Sequence, residues 1–115
     1  MTAAQCLRAC RTLYGGGLLL APASVLSILA RMPLDPQTLA VARVLGARHL
    51  AQAALSRRGT RTQLRLGAAS DAAHAASMVV VARCSARRAH RVLARRDART
   101  ATLLAALGLV TASAR

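Results

Sequence analysis

The sequence predicts an all-α protein, specifically a small transmembrane helical bundle of about four helices that forms a single domain over residues 1–115. Two observations predict this fold class. The chain is 55% apolar although its formal net charge is +14. In addition, charged and apolar residues are separated along the sequence, so that long apolar stretches alternate with Arg-rich connections. Uncharged apolar stretches that approach 20 residues are typical of helices that cross a bilayer.

The composition argues against two other classes of protein. Disordered chains lack the apolar content that this sequence offers for burial. Proteins that bind nucleic acid commonly stack aromatic side chains on bases, whereas this chain has one Tyr, no Phe and no Trp. The sequence therefore disfavours both intrinsic disorder and nucleic acid as a partner.

The first apolar stretch, residues 12–30, is the strongest candidate for a membrane span. It carries no charge and lies between Arg11 and Arg31. At about 1.5 Å per residue, a helix of this length nearly crosses a hydrocarbon core of about 30 Å. A cleaved secretory signal is an alternative, but the apolar run continues past the candidate cleavage site at Ala21-Pro22-Ala23.

Three further spans are predicted at residues 39–56, 66–82 and 100–114, with a basic connection at 83–99. A turn at 32–38 precedes the second span, because Pro33 and Pro36 interrupt helical hydrogen bonding. Asp35 or Thr38 can cap the helix that follows. If the third segment only enters the interface, the protein has three spans. Small or rigid residues are expected to allow close helix packing: Gly15, Gly16, Gly17, Pro22, Gly46 and Gly67.

Polar residues inside the predicted helices form a candidate intramembrane polar cluster, because charge at membrane depth is costly and normally has a partner. Helical spacing places Arg48, His49 and Gln52 on a broad face of the second helix. It places Asp71 and His74 on one face of the third helix. The sequence predicts that Asp71 pairs with Arg48 or Arg43. Such a pair either fixes the register of the helices or belongs to a ligand or proton path. The cluster consists of Arg43, Arg48, His49, Gln52, Asp71 and His74.

The Arg-dense connection offers a second candidate site. Its arginines recur every four residues, so a helix here would be basic over most of its surface. Contact with anionic lipid headgroups is favoured over nucleic-acid phosphates, and a solvated charged connection is the remaining alternative. The candidate headgroup contacts are Arg83, Arg87, Arg88, Arg91, Arg95, Arg96 and Arg99.

Three short motifs carry a resemblance to a known group of proteins. They are Leu13-Tyr14-Gly15 with Leu18-Leu19-Leu20-Ala21-Pro22, then Ala42-Arg43-Val44-Leu45-Gly46-Ala47-Arg48-His49-Leu50, and finally Asp71 with His74. Over residues 8–112 the chain resembles small four-helix integral membrane proteins of unknown function from high-GC bacteria. The resemblance implies a helical membrane architecture with Arg43, Gly46, Arg48 and Asp71 as its signature, and it implies no activity.

The sequence thus predicts a multi-pass protein of the cell membrane with a structural, interaction or accessory role. No nucleophile with its base, phosphate loop or metal-ligand motif is present, so we expect no catalytic residues, metal or cofactor, and hence no enzyme. The expected partners are the lipid bilayer with its anionic headgroups, and a second copy or a larger membrane protein. The alternative is a peripheral or soluble cationic helical protein that binds anionic lipid or nucleic acid. A weaker third hypothesis is a proton-linked carrier that uses Arg48, Asp71 and His74.

Overall fold

A computed structural model describes residues 1–30 and 35–114, without the side chains of Leu29 and Ala30. Five helices form in this part of the chain, which confirms the prediction of an all-α bundle. They are α1 (Ala3–Leu20), α2 (Pro22–Ala30), α3 (Pro36–Leu55), α4 (Arg61–Cys84) and α5 (Arg88–Ser113). Residues 32–34 of the predicted turn at 32–38 lie outside the described residues, as does Arg31 before them.

Side-chain caps fix where three of the helices begin. Thr2 and Gln5 form a capping box at the start of α1, and Thr60 and Gln63 form another at the start of α4. Each pair satisfies two backbone groups that a helix end leaves unbonded. Asp35 caps α3 by accepting a hydrogen bond of 3.0 Å from the backbone N–H of Thr38.

The five helices pack mainly as two pairs. Helix α3 lies along α1, and α5 lies along α4 over most of its length, while the shorter α2 packs against α1, α3 and α5. Each pair buries small side chains where its helices meet. Gly108 of α5, for example, approaches Ala68 of α4 so closely that an added Cβ would lie 3.2 Å from the Ala68 methyl carbon. The two pairs then meet through the longer side chains described below.

Gly15 and Gly46 allow α1 and α3 to approach each other backbone to backbone. A Cβ added at Gly46 would lie 2.6 Å from the carbonyl oxygen of Gly15, and one at Gly15 would lie 2.8 Å from the carbonyl oxygen of Gly46. Both distances are far inside van der Waals contact. Only glycine therefore fits at this crossing.

The apolar core is aliphatic and divided into two clusters. One joins Leu18, Leu26, Leu45 and Leu93 with a neighbouring alanine, and the other joins a second set of leucines and one alanine: Leu7, Leu64, Leu104 and Ala112. Along α1, Arg11 and Tyr14 lie between the leucines of the two clusters. Along α5, Asp97 lies between Leu93 and Leu104. The polar residues therefore separate the two apolar clusters.

None of the helices in residues 1–30 and 35–114 combines the length with the apolar character that crossing a bilayer requires. The predicted multi-pass protein of the cell membrane, with transmembrane helices at 12–30, 39–56, 66–82 and 100–114, is therefore wrong. The physical reason is clearest in the first stretch. It is divided between α1, which ends at Leu20, and the nine-residue α2, which begins at Pro22. Since proline lacks a backbone N–H, Pro22 starts a new helix at a position where the donor is not needed.

Candidate functional site

A buried charge cluster joins α1, α3 and α4. We use this name for Arg11, Arg48 and Asp71. Arg11 donates a hydrogen bond through Nη2 to Oδ2 of Asp71, and the two side chains are 1% and 0% exposed. Arg48 approaches the other carboxylate oxygen, with Nη2 3.4 Å from Oδ1. One carboxylate thus contacts two guanidinium groups, so the cluster carries one excess positive charge.

The second polar group is the Asp97 cluster, which consists of Tyr14, His49, His74 and Asp97. His74 Nε2 lies 2.5 Å from Oδ2 of Asp97, and the Tyr14 hydroxyl donates to Oδ1 over 3.3 Å. His49 Nε2 is 3.7 Å from the same Oδ1, which exceeds a hydrogen bond. The rings of Tyr14 and His49 also pack in a T-shaped arrangement, with ring centroids 5.1 Å apart. Asp97 is completely buried, and it contacts Tyr14, His49 and His74 there.

The neighbours of Asp97 determine its protonation. Burial raises the pKa of this carboxyl, but the imidazoles of His49 and His74 outweigh burial and hold its pKa below the ordinary value. The pKa of Tyr14 is shifted in the opposite direction. Burial, and after it the negative charge of Asp97, raises the pKa of Tyr14 to about 12. The carboxylate is therefore charged and the phenol neutral across the physiological range.

The structure brings five of the six residues of the predicted polar cluster to the junction of the two helix pairs. Arg48, His49 and Gln52 enter it from α3, and Asp71 and His74 enter it from α4. Arg43 is exposed on α3 and makes no salt bridge within the described residues. Asp71 contacts Arg48, which is one of the two partners that the sequence predicted.

The sequence did not predict three residues of these two clusters: Arg11, Tyr14 and Asp97. Arg11 stands immediately before an apolar stretch, which suggested a charge flanking a span rather than a buried one. Its spacing held a usable signal, because Leu7, Arg11, Gly15 and Leu18 recur at intervals of four, four and three and so share one face of α1. Asp97 is the single acid among the arginines of residues 83–99. That isolation is the signal that could have identified it.

The residues predicted to allow close packing differ in their surroundings. Gly15 and Gly46 form the α1–α3 crossing described above, and Pro22 is buried at the start of α2. A Cβ at Gly17 would lie 3.1 Å from Val25, whereas a Cβ at Gly16 would meet nothing within 4 Å. Gly67 borders the guanidinium of Arg11, the nearest atom of which, Nη1, would lie 3.4 Å from an added Cβ.

The Arg-dense stretch is largely helical, since α5 begins at Arg88. Several of its arginines border a groove of about 830 Å³ between α4 and α5, which we call the arginine groove. Its lining combines guanidinium groups with aliphatic side chains. The lining residues are Val79, Ala82, Arg83, Arg91, Arg95, Ala98, Arg99, Thr102 and Leu103.

The remaining arginines of this stretch have other surroundings. Arg87 forms a salt bridge of 2.9 Å with Asp35 and also donates to Gln37, which connects the start of α5 to the start of α3. Arg88 and Arg96 are exposed. Arg91 differs from its neighbours in the groove because it donates to the backbone carbonyls of Ser85 and Ala86 at 2.9 and 2.8 Å.

Within residues 1–30 and 35–114, no group of three or more His, Cys, Asp or Glu side chains is placed to hold a metal ion. Comparison with known proteins gives no relative, because no protein family, no curated protein and no solved structure matches the chain. Its function must therefore be inferred from its own residues.

Proposed function

We propose that this protein is a peripheral cationic helical protein that binds anionic phospholipid surfaces through the arginine groove. The observation that carries the proposal is the combination of guanidinium groups and exposed aliphatic side chains on one face of α4 and α5. Phosphates attract the guanidinium groups, and the acyl region of a lipid accommodates the aliphatic ones.

The distribution of charge supports an external anionic partner. The chain contains three acidic residues, and all of them are engaged within the fold. Asp71 contacts Arg11 and Arg48, Asp97 contacts His74, and Asp35 contacts Arg87. Arg83, Arg95 and Arg99 are exposed and belong to no salt bridge within the described residues. Their positive charge is therefore available to a partner.

The order of residues along the groove supports lipid in particular. At intervals of four, α5 presents Arg91, Arg95 and Arg99 to the groove, and the same row continues with Leu103. The side chain of Leu103 is 65% exposed. On the antiparallel α4, Arg83 and Val79 repeat this change from basic to aliphatic. Such a gradient matches a phospholipid, which is anionic at one end and apolar at the other.

Nucleic acid is the competing partner, and the chemistry of the surface favours it less. A nucleic-acid site combines basic side chains with aromatic ones that stack on bases. The single Tyr of this chain is partly buried and hydrogen-bonded to Asp97. Exposed valine and leucine side chains also gain little from contact with a phosphate backbone.

Vesicle co-sedimentation tests the proposal. The full chain is mixed with vesicles of phosphatidylglycerol and phosphatidylcholine, with vesicles of phosphatidylcholine alone, and with duplex DNA or RNA at equal phosphate concentration. We expect binding to the anionic vesicles that weakens as salt is added, because salt screens exposed charges. Equal binding to both kinds of vesicle would contradict the proposal, and so would a preference for DNA or RNA.

A further inference from the structure

The loop that joins α3 to α4 borders a second basic site, at the opposite end of α4 from the arginine groove. Two adjoining cavities lie there, of about 210 and 710 Å³, and Arg8, Arg57 and Arg58 line both of them. We call the two cavities together the Arg8 pocket. About 25 Å of α4 separates this pocket from the part of α4 that borders the arginine groove, and the two sites share no residue.

Two backbone features place the three arginines around the same cavities. Gly59 has a φ of 59°, in the left-handed region that favours glycine, and its N–H donates to the Ser56 carbonyl oxygen at 3.1 Å. The chain therefore turns tightly between α3 and α4, and Arg57 and Arg58 lie in this turn. From α1, Arg8 donates through Nη1 to the Arg57 carbonyl oxygen at 3.0 Å, which holds Arg8 against the turn.

No acidic side chain neutralises these three guanidinium groups. All three acidic residues of the chain form their contacts elsewhere in the fold. Arg57 and Arg58 are exposed and Arg8 is partly buried, so a dissolved anion can reach them. Three positive charges around one pocket repel one another, and a bound anion would offset that repulsion.

From these contacts we infer that the Arg8 pocket binds the phosphate monoester of a small organic molecule. Such a phosphate carries nearly two negative charges and three terminal oxygens, which suits three guanidinium groups better than a singly charged carboxylate does. The smaller cavity also has polar lining from Thr2, Gln5 and Ser56, which suits the phosphate. The wider cavity adds the exposed residues Ala54 and Leu55, against which the organic group can lie.

Butyl phosphate is the probe that tests this inference, with butyl sulfate as a control of the same length and a single charge. Calorimetry on the full chain should show butyl phosphate binding at least about fivefold more tightly at pH 8. Because the second pKa of a phosphate monoester is about 6, this preference should nearly disappear at about pH 5. The NMR signals of the Leu55 methyl groups should shift, while those of Leu103 in the arginine groove should not. Equal affinities at pH 8, or shifts confined to Leu103, would overturn the inference.

Two exposed arginines, one in each basic site, distinguish a local site from the effect of net charge. Arg58→Gln should weaken butyl phosphate binding at least about fivefold, whereas Arg83→Gln removes the same charge from the arginine groove and should leave that binding unchanged. The effects on binding to anionic vesicles should be reversed. If both variants lose butyl phosphate affinity equally, net charge alone attracts the anion and the inference is wrong. If vesicle binding fails while butyl phosphate still binds at Arg58, the proposed lipid function is wrong and this inference holds.

Discussion

Arg11 and Asp71 are 60 positions apart in sequence and form a hydrogen-bonded ion pair that is almost wholly excluded from solvent. The pair connects α1 to α4, and therefore connects the α1–α3 pair of helices to the α4–α5 pair. A buried charge without its partner is far more costly than an exposed one. The contact therefore couples the correct docking of the two helix pairs to the stability of the whole fold.

Replacing the buried Asp71 should lower the free energy of unfolding more than replacing Asp35, which lies at the surface. Asp71→Asn leaves Arg11 buried and unpaired, and we expect a loss of about 3–5 kcal/mol in the free energy of unfolding. Asp35→Asn is the matched control. Its carboxylate pairs with Arg87 at the surface, where solvent screens the pair, and asparagine preserves the helix cap, so the loss should be much smaller than for Asp71→Asn. Denaturant unfolding measures both values, and a similar loss in the two variants would contradict the structural role of Asp71.

Two glycine substitutions should have opposite effects. Gly46→Ala places a methyl group against the Gly15 carbonyl and should destabilise the fold by about 1–3 kcal/mol through separation of α1 from α3. Gly16→Ala places the same methyl group in open space, and the better helix propensity of alanine should stabilise the fold by up to about 1 kcal/mol. Thermal unfolding of the two variants tests whether α1 and α3 approach each other at Gly15 and Gly46. Equal effects would show that α1 and α3 do not meet at Gly15 and Gly46.

The single tyrosine should titrate far above its usual range. Its pKa is about 12 in the fold against an ordinary value of 10.0, so phenolate absorbance should rise near pH 12 in the folded protein and near pH 10 in urea. Because folding raises this pKa, the stability that it contributes is present below pH 10 and is lost as the pH rises towards 12. Asp97→Asn should lower the tyrosine pKa by removing a nearby negative charge. A folded-state transition near pH 10 would place Tyr14 outside the Asp97 cluster.

Protonation of Asp97 should lower the stability of the fold at acid pH. Its pKa in the fold lies below the ordinary value of 3.8, so the ionised carboxylate stabilises the fold above that pH, and this contribution is lost as the pH falls through the folded-state pKa. The difference in melting temperature between the unmodified protein and Asp97→Asn should therefore shrink as the pH falls below 3.8. A difference that stayed constant down to about pH 2 would contradict the depressed pKa.

The helical class and part of the polar cluster could be predicted from the sequence, because helical spacing places Arg48 and Asp71 on polar faces of two consecutive helices. The number of helices could not. Pro22 is tolerated inside a membrane helix but begins a new helix in this fold, and sequence does not decide between these environments. The roles of Arg11 and Asp97 depend on which helices pack together. Arg11 reaches Asp71 only because α1 and α4 meet, and that contact has no local signature.

The measurement that tests the proposed function most directly compares two triple variants in binding to anionic vesicles. Each variant loses three exposed arginines and therefore the same charge. Arg83→Gln, Arg95→Gln and Arg99→Gln remove charge from the arginine groove, while Arg57→Gln, Arg58→Gln and Arg61→Gln remove it from the start of α4 and the preceding loop. At about 1 kcal/mol per arginine near the membrane surface, the groove variant should bind about 100-fold more weakly and the control variant should bind nearly as well as the unmodified protein. Equal losses in the two variants would show that net charge alone drives binding and would contradict a lipid site in the groove.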